Sequence, residues 1–521
     1  MLRKDGTRSM IAPHELTDGY EENPIISLQT LRADFNGALL QFLIGLYQVA
    51  LGSNSEIVWS RYFRNPPSPK IIKDSFLPYI SAFSLFGPGP KFMQDHEKIE
   101  GEKLGIEKMI LDAPGEQTIT RNTDLFVKRN GIGGLCYSCC ATALFTLQTN
   151  APSGGSGHRT SLRGGGPLTT LALGSTLWET VWLNVIPHSY MDVAVKVEQQ
   201  AALLSLVFPW IAPTRTSEKN TGTKTQPQDA HPYQAYWGMP RRIMLCNEGK
   251  IGTCSICGEK DMPLVTHYIQ KTYGIDYGDG WRHPLSPYAV NEDGSRISIH
   301  TSPRGITYRH WLRYTYGDTN NKTRYEPALS IYTFLARSGR MGREFDVLGE
   351  KRRFFSFGYD FDNMKARCWY EGEMPLIYVE ENIRPAYLSA TTALIRTAEY
   401  VISLTSANVR KALGLDKISS LSFIDADFWV RTESSFYSTL DAIAHVVHDA
   451  KEIDTKKLEW FSILRATALD IFDKKSQASM MGQIDPGNVA TAYLTLARSL
   501  TPKAKKVSKL LELSQEPRIE G

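Results

Sequence analysis

The sequence predicts an α+β protein in two parts, a large mixed α/β domain over residues 1–380 and a four-helix bundle over residues 381–521. Three observations carry this reading. Past Arg384 apolar residues recur every three or four positions, at Leu388, Ile395, Ala398 and Ile402, then Phe436, Leu440, Ile443 and Val447, then Leu458, Phe461, Ala468 and Phe472, then Val489, Tyr493, Leu496 and Leu500. That is the period of four amphipathic helices. Ahead of them, short apolar and aromatic runs are punctuated by glycine and proline, as in short strands mixed with helices. Two Cys-x-x-Cys turns, Cys136 with Cys139 and Cys254 with Cys257, lie in this first part, and closing them on each other ties a long excursion of chain to one point.

With 521 residues, 42% hydrophobic and 22% charged, the chain is globular and long enough for two or more domains. Its net charge of +4 neither requires nor excludes a polyanionic partner, so any nucleic-acid surface has to be argued from local clusters. Met1 to Asn23 is polar and shows no amphipathic period. The most apolar window, Phe35 to Leu51, contains Asn36, Gln41 and Gln48 and is short for a bilayer, so it reads as a buried helix and not a membrane span. Ser75 to Phe86 continues in helical fashion until Gly87-Pro88-Gly89-Pro90 breaks it.

Seven cysteines, four of them in the two pairs, with no secretory leader at the start, point to a reducing compartment where thiols bind metal instead of forming disulfides. A cytoplasmic location is expected. Two such turns can present four thiolates tetrahedrally to zinc, and four sulfur ligands leave no open position for water, so the metal is expected to be structural. Nothing in the set suggests catalysis. Cys140 and Cys368 read as buried apolar residues, and Cys246 as a substitute ligand at most.

Ile119 to Leu135 is a loop carrying Arg121, Lys128 and Arg129 around Phe126. An aromatic among cations suits a single strand or an unstacked base step, and a core anchor for Phe126 is the competing reading. A second loop, Pro152 to Gly166, reads PSGGSGHRTSLRGGG; its glycines let backbone amides approach a ligand, and His158, Arg159 and Arg163 add cations for phosphate. It is not a nucleotide-hydrolase phosphate loop, since no GxxxxGK followed by Ser or Thr occurs. A flexible surface connection is the alternative.

Pro167 to Pro187 reads as a strand and then an amphipathic segment with Trp178 and Trp182 in the core. Thr214 to His231 is polar and reads as a mobile loop. Arginine-rich strands are expected at Ile306 to Thr315, with a basic cluster at Arg337, Arg340, Arg343, Lys351, Arg352 and Arg353 as a candidate polyanion surface. Phe354 to Trp369 reads as a strand and turn with Asn363 at the tip, and Asp485-Pro486 as the capped start of the fourth bundle helix.

The ordered motifs LCYSCCATALF, APSGGSGHRTSLRGG, TLWETVWLNV, YWGMPRRIMLCNEGKIGTCSICGE and WRHPLSP, ahead of a helical bundle, resemble the CasA family, the large subunit of the type I-E CRISPR surveillance complex Cascade. The resemblance spans nearly the whole chain. The family's opening apolar strand and Trp-Ile-Pro turn have no counterpart before Arg3, so the start is expected to be shortened or misassigned.

The resemblance implies a protein that does no chemistry. Such a subunit joins guide crRNA and the other Cascade subunits, reads the protospacer-adjacent motif on double-stranded DNA, helps open the duplex and recruits a helicase–nuclease. Motif reading is through the minor groove, whose donor and acceptor pattern is degenerate. The family's glycine loop matches Gly154, Gly155, Ser156, Gly157 and Arg159, with its central contact glycine at Ser156. Its lysine finger falls near Thr272, one position from Lys271. Its glutamine wedge matches Asn363, and its first loop, at the foot of the guide RNA, matches Phe126 with Lys128 and Arg129. Two other classes are weighed: a zinc-stabilised scaffold of another RNA–protein complex, and a zinc-dependent nucleic-acid enzyme. A nucleobase deaminase would show His-x-Glu and Pro-Cys-x-x-Cys, and neither occurs at these turns.

Overall fold

The computed structural model describes residues 1–513 apart from 54, 123–130, 192–199, 319–322, 342–351, 417–420 and 479–484. The chain divides into two compact units, the first Met1–Pro303 with Tyr314–Leu376 and the second Arg304–Arg313 with Ile377–Gly521.

The first unit is built around helix α1, Ala33–Leu51. Its apolar residues face a cluster in which Phe42 meets Phe83, Phe92, Phe145 and Trp237 edge-on at 5.6–6.0 Å. Each such pair adds roughly 0.5–1.5 kcal/mol beyond the area it buries. The three amides that set this helix apart from a membrane span all find partners within the protein. Asn36 Oδ1 accepts from Thr30 N, Gln48 bonds both N and O of Ile186, and Gln41 Oε1 accepts from Arg163. Among the described residues no helix is long and apolar enough to cross a membrane.

The first unit also contains three small antiparallel sheets. Strands β1 (Glu102–Gly105) and β4 (Arg242–Cys246) flank β7 (His267–Lys271). Strands β2 (Leu135–Cys136) and β5 (Lys250–Gly252) flank β6 (Met262–Val265). Strand β3 (Thr169–Leu173) and the hairpin of β8 (Arg353–Asp362) and β9 (Lys365–Pro375) form the third. Helix α2 (Tyr137–Asn150) packs on α1 and joins β2 to the glycine loop. Helix α3 (Leu177–Leu183) buries Trp178 and Trp182, stacked at 5.3 Å, as core residues.

The second unit contains α4 (Arg384–Ala412), α5 (Ser422–Val446), α6 (Ala450–Ala478), α7 (Pro486–Ser499) and a short fifth helix, α8 (Lys505–Leu511). Asp485 caps α7 by accepting from Gly487 N at 2.8 Å, with Pro486 in the first turn. The four long helices follow the apolar spacing read from the sequence.

Several expectations are corrected. The strands expected at Ile306 to Thr315 are a 3-10 turn, Tyr308–His310, followed by one helical turn, Trp311–Thr315. Tyr308, Trp311 and Leu312 are buried at a helical spacing of three and four. Tyr308 stacks on Phe436 at 4.4 Å and bonds Thr432, which is why this segment belongs with the helical unit. The polar run 214–231 is ordered. Lys224–Thr225 pairs in parallel with Asp276–Tyr277, and Asp229 accepts from Gln226 N at 2.8 Å, so hydrogen bonds replace the missing apolar anchors. Among the described residues of the basic cluster, Arg337, Arg340 and Arg353 do not share one free cationic face. Arg337 is buried over Trp59 at 3.8 Å and pairs with Glu56, Arg340 donates to Tyr190 Oη, and Arg353 pairs with Glu373. Arg343 and Lys351 lie outside the described residues. Cys140 is buried as expected, but Cys368 is exposed because its strand, β9, is the sheet edge.

Candidate metal centre and nucleic-acid interface

Helix α2 has a cysteine turn at one end and a glycine loop at the other. Cys136 stands at the N-cap and Cys139 in the first turn, so both sulfurs lie at one end of the helix. The second turn is held against the first by backbone bonds. Ser255 N donates to Gly134 O at 2.9 Å, and Gly133 N donates back to Ser255 Oγ at 3.0 Å. Gly258 closes its turn at φ +78° while donating to Cys254 O, a conformation that glycine adopts without a Cβ penalty.

The result is a cluster in which the sulfurs of Cys136, Cys139, Cys254 and Cys257 all lie within 4.8 Å of one another, and Cys136 and Cys257 at 3.8 Å. Tetrahedral thiolate sites with metal–sulfur bonds of about 2.3 Å have sulfur–sulfur edges of about 3.8 Å. The four residues therefore fit a metal ion in donor type, number and spacing. The crowding also perturbs the thiols. Cys136 is drawn down to about 5, chiefly by the hydrogen bond from Cys139, and burial leads in pushing Cys257 up to about 11. A bound cation would relieve this competition by holding all four as thiolates. Cys246, at the end of β4, is not part of the cluster.

Beyond Asn150 the chain enters the second glycine loop. His158 N donates to Gly155 O, closing a turn whose tip, Gly155 and Ser156, is exposed. Gly155 and Gly157 have φ of +88° and +79°, left-handed positions that disfavour other residues. The loop is seated on the end of β7. Tyr273 N donates to Gly157 O at 2.7 Å, and a Cβ on Gly157 would lie 2.9 Å from Thr272 Cβ. A Cβ on Gly154 would meet His158 at 2.6 Å. Thus Gly154, Gly155, Ser156 and Gly157 come together with Thr272 and Tyr273, beside the exposed Lys271.

Two cations of this loop do not project as free charges. The Arg159 guanidinium bonds Ser217 at 2.8 Å and pairs with Asp276 at 3.3 Å, tying the loop to the polar segment read as mobile. Arg163 is buried and donates to Thr169, Ser286 and Gln41, so its expected phosphate role is corrected to an internal one. Sequence reasoning missed the residue beneath the loop, Arg241, which is buried and donates to Pro152 O.

Asn363 stands where expected, in the two-residue connection of the β8–β9 hairpin, exposed and at φ +55°. Asparagine tolerates this left-handed position better than most residues. Just behind the turn the hairpin is fixed by Arg367 on Asp360 at 2.8 and 2.9 Å. Phe361 lies against the far end of the glycine loop, where a Cβ on Gly166 would come within 2.5 Å of its ring. Phe126, Lys128 and Arg129 lie outside the described residues.

Comparison with known proteins adds a family. The profile of the family described as CRISPR-associated protein Cse1 matches residues 1–471. Cse1 of Thermobifida fusca is similar with a TM-score of 0.68 at 15% identity, over 99% of this chain and 97% of that one. CasA (Cse1) of Thermus thermophilus is similar with a TM-score of 0.63 at 17% identity, over 91% of each chain. A chain of a CRISPR RNA-guided surveillance complex gives 0.64 at 15% identity over 95% of each. These identities speak to the fold, and the profile match over most of the sequence to the lineage: the chain belongs to the CRISPR-associated protein Cse1 family, also called CasA.

Proposed function

We propose that this chain is the large, non-catalytic subunit of a type I-E CRISPR RNA-guided surveillance complex in the cytoplasm. In that role it reads a protospacer-adjacent motif in double-stranded DNA, assists duplex opening and R-loop formation, and recruits a helicase–nuclease. Family membership supports the assignment to such a complex. The observation that carries DNA reading is the glycine turn at 154–157, exposed at its tip and seated on Thr272 and Tyr273 beside Lys271.

A turn without side chains at Gly154, Gly155 and Gly157 brings backbone amides close to a groove floor, and Lys271 supplies a donor beside it. Ser156 adds a hydroxyl at the tip. Asn363, at the end of a two-stranded hairpin, has the reach and exposure to enter the first base step, where unstacking costs a few kcal/mol. The Phe126 loop, with Lys128 and Arg129, is assigned to the foot of the guide RNA. The four cysteines are assigned to zinc, which when bound supplies a fixed cross-link. The protein's own contribution is to aim α2, and with it the glycine loop, from that fixed point.

The test is Gly157→Val within the assembled complex, measured on duplexes with and without the motif. The reading requires loss of the difference between the two. Undiminished discrimination by the variant contradicts it.

A further inference from the structure

Four arginines are buried among the described residues, Arg163, Arg241, Arg242 and Arg337. Arg242 pairs with Asp95 and Glu218, and Arg337 with Glu56. The two that bracket the glycine loop have no carboxylate partner. Arg163 donates only to neutral oxygens of Gln41, Thr169 and Ser286. Arg241 donates to the carbonyl of Pro152 at the start of the loop, and its Nε has no hydrogen-bond partner.

Arg241 is also placed with care. Gln148, on the last turn of α2, accepts from Arg241 N and donates to Arg241 O, both at 2.9 Å. That pair of hydrogen bonds fixes the Arg241 backbone, and the bond to Pro152 O holds the guanidinium below the turn, where Nη1 would be 3.1 Å from a Cβ on Gly154. The neighbouring His158 is held below its ordinary range by burial first and by the Arg241 charge second. Burial lowers Arg241 itself to about 10, which leaves it cationic at neutral pH.

Burying an ionised group without a counter-charge costs several kcal/mol unless something compensates it. An orphaned buried donor of this kind calls for a partner, and since Arg159 is already paired with Asp276, Arg241 and the exposed Lys271 are the cations left beside the turn. We infer that Arg241 is a positioning residue for the glycine loop whose uncompensated charge acts through the thin backbone turn on a nucleic-acid phosphate seated over 154–157. The absence of side chains at 154, 155 and 157 lets the phosphate approach this charge, and a phosphate neutralised there releases its condensed counterions. The inference rests on the reading of the loop as a duplex contact. Arg163 is the weaker second charge, because every nitrogen shown bonding is satisfied by a neutral acceptor.

The test uses the complete surveillance complex and a motif-bearing duplex, with affinity measured across a salt series. Arg241→Gln keeps a donor for Pro152 and removes the charge; Arg241→Lys keeps the charge. Arg241→Gln is expected to bind about tenfold or more weakly at low salt, with a shallower dependence on salt, while Arg241→Lys stays within about threefold of the parent and retains its slope. Parental affinity and slope in Arg241→Gln overturn the inference. So does an equal loss in both variants with unchanged slopes, which is the signature of a purely structural arginine. Gly157→Val run alongside separates the two ideas: if it too binds as the parent does, the loop is not the duplex contact and the underlying reading fails.

Discussion

The cysteine cluster and the glycine loop sit at the two ends of one helix, and they are built by opposite means. The cluster is assembled from just two short turns, each carrying its donors three residues apart and closed by its own glycine or helix start, and the pair is clasped by the bonds between Ser255 and Gly133–Gly134. The loop is assembled from distant parts of the chain: Tyr273 bonds Gly157, Gln270 bonds His158, Ser217 and Asp276 hold Arg159, and Arg241 lies beneath. A site that repeats one chemistry can be compact and self-contained. A surface that must meet a shaped partner is held from several sides, because its geometry has to be right in the absence of any ligand bond to correct it.

The largest effect should come from breaking the cluster. Cys254→Ser removes one of four ligands from a point that joins two otherwise distant turns. Elemental analysis of the parent protein should find about one zinc per chain, and the variant should lose most of it. Thermal melting should show a loss that is a large fraction of the roughly 5–15 kcal/mol by which domains are stable. If the loop depends on the cluster for its aim, the same variant should also lose motif discrimination. A parent protein free of metal after purification without chelators would break the comparison at its root.

Gly157→Val comes next. Its φ of +79° and the 2.9 Å approach to Thr272 forbid a branched side chain without displacing the turn. Strain of about 1–3 kcal/mol is expected in melting experiments, together with a fall in motif discrimination of about tenfold or more. A smaller effect belongs to Arg159→Ala. The pair with Asp276 is about one-third exposed on the arginine side, so its removal should cost about 1 kcal/mol or less. Duplex affinity should fall only slightly. A tenfold loss there would mean that Arg159 leaves Asp276 for phosphate on binding, and the contrast between visible and hidden charge would have to be redrawn.

The same contrast explains what the sequence discloses. Cys-x-x-Cys turns, the helix over 33–51 and the capped start at Pro486 follow from residues close together in the chain, where spacing and capping chemistry act locally. Asn363 at the tip is legible because a two-residue turn between long alternating strands needs a residue tolerant of positive φ. The misread parts depend on distant partners. Arg337 looks like part of a basic surface until Glu56 and Trp59 are placed around it. The run 214–231 has few apolar residues of its own and is ordered by Asp276 and Tyr277. Trp311 and Leu312 look like strand residues until their burial on one helical face is known. Arg241 is invisible for the same reason, since nothing near it in sequence reveals that Pro152 and Gly154 cover it. The Arg241-Arg242 pair where the chain enters β4 is the one local hint.

In the proposed role the exposed amide at the hairpin tip opens the duplex that the glycine loop has engaged. The decisive measurement is the rate of R-loop formation by complexes carrying Asn363→Ala on two targets, one a closed duplex and one with the first base pairs next to the motif already unpaired. If the side chain supplies part of the few kcal/mol needed to unstack that step, the variant should be slowed about tenfold or more on the closed target and should match the parent on the unpaired one. An equal slowing on both targets, or none on either, would contradict the account.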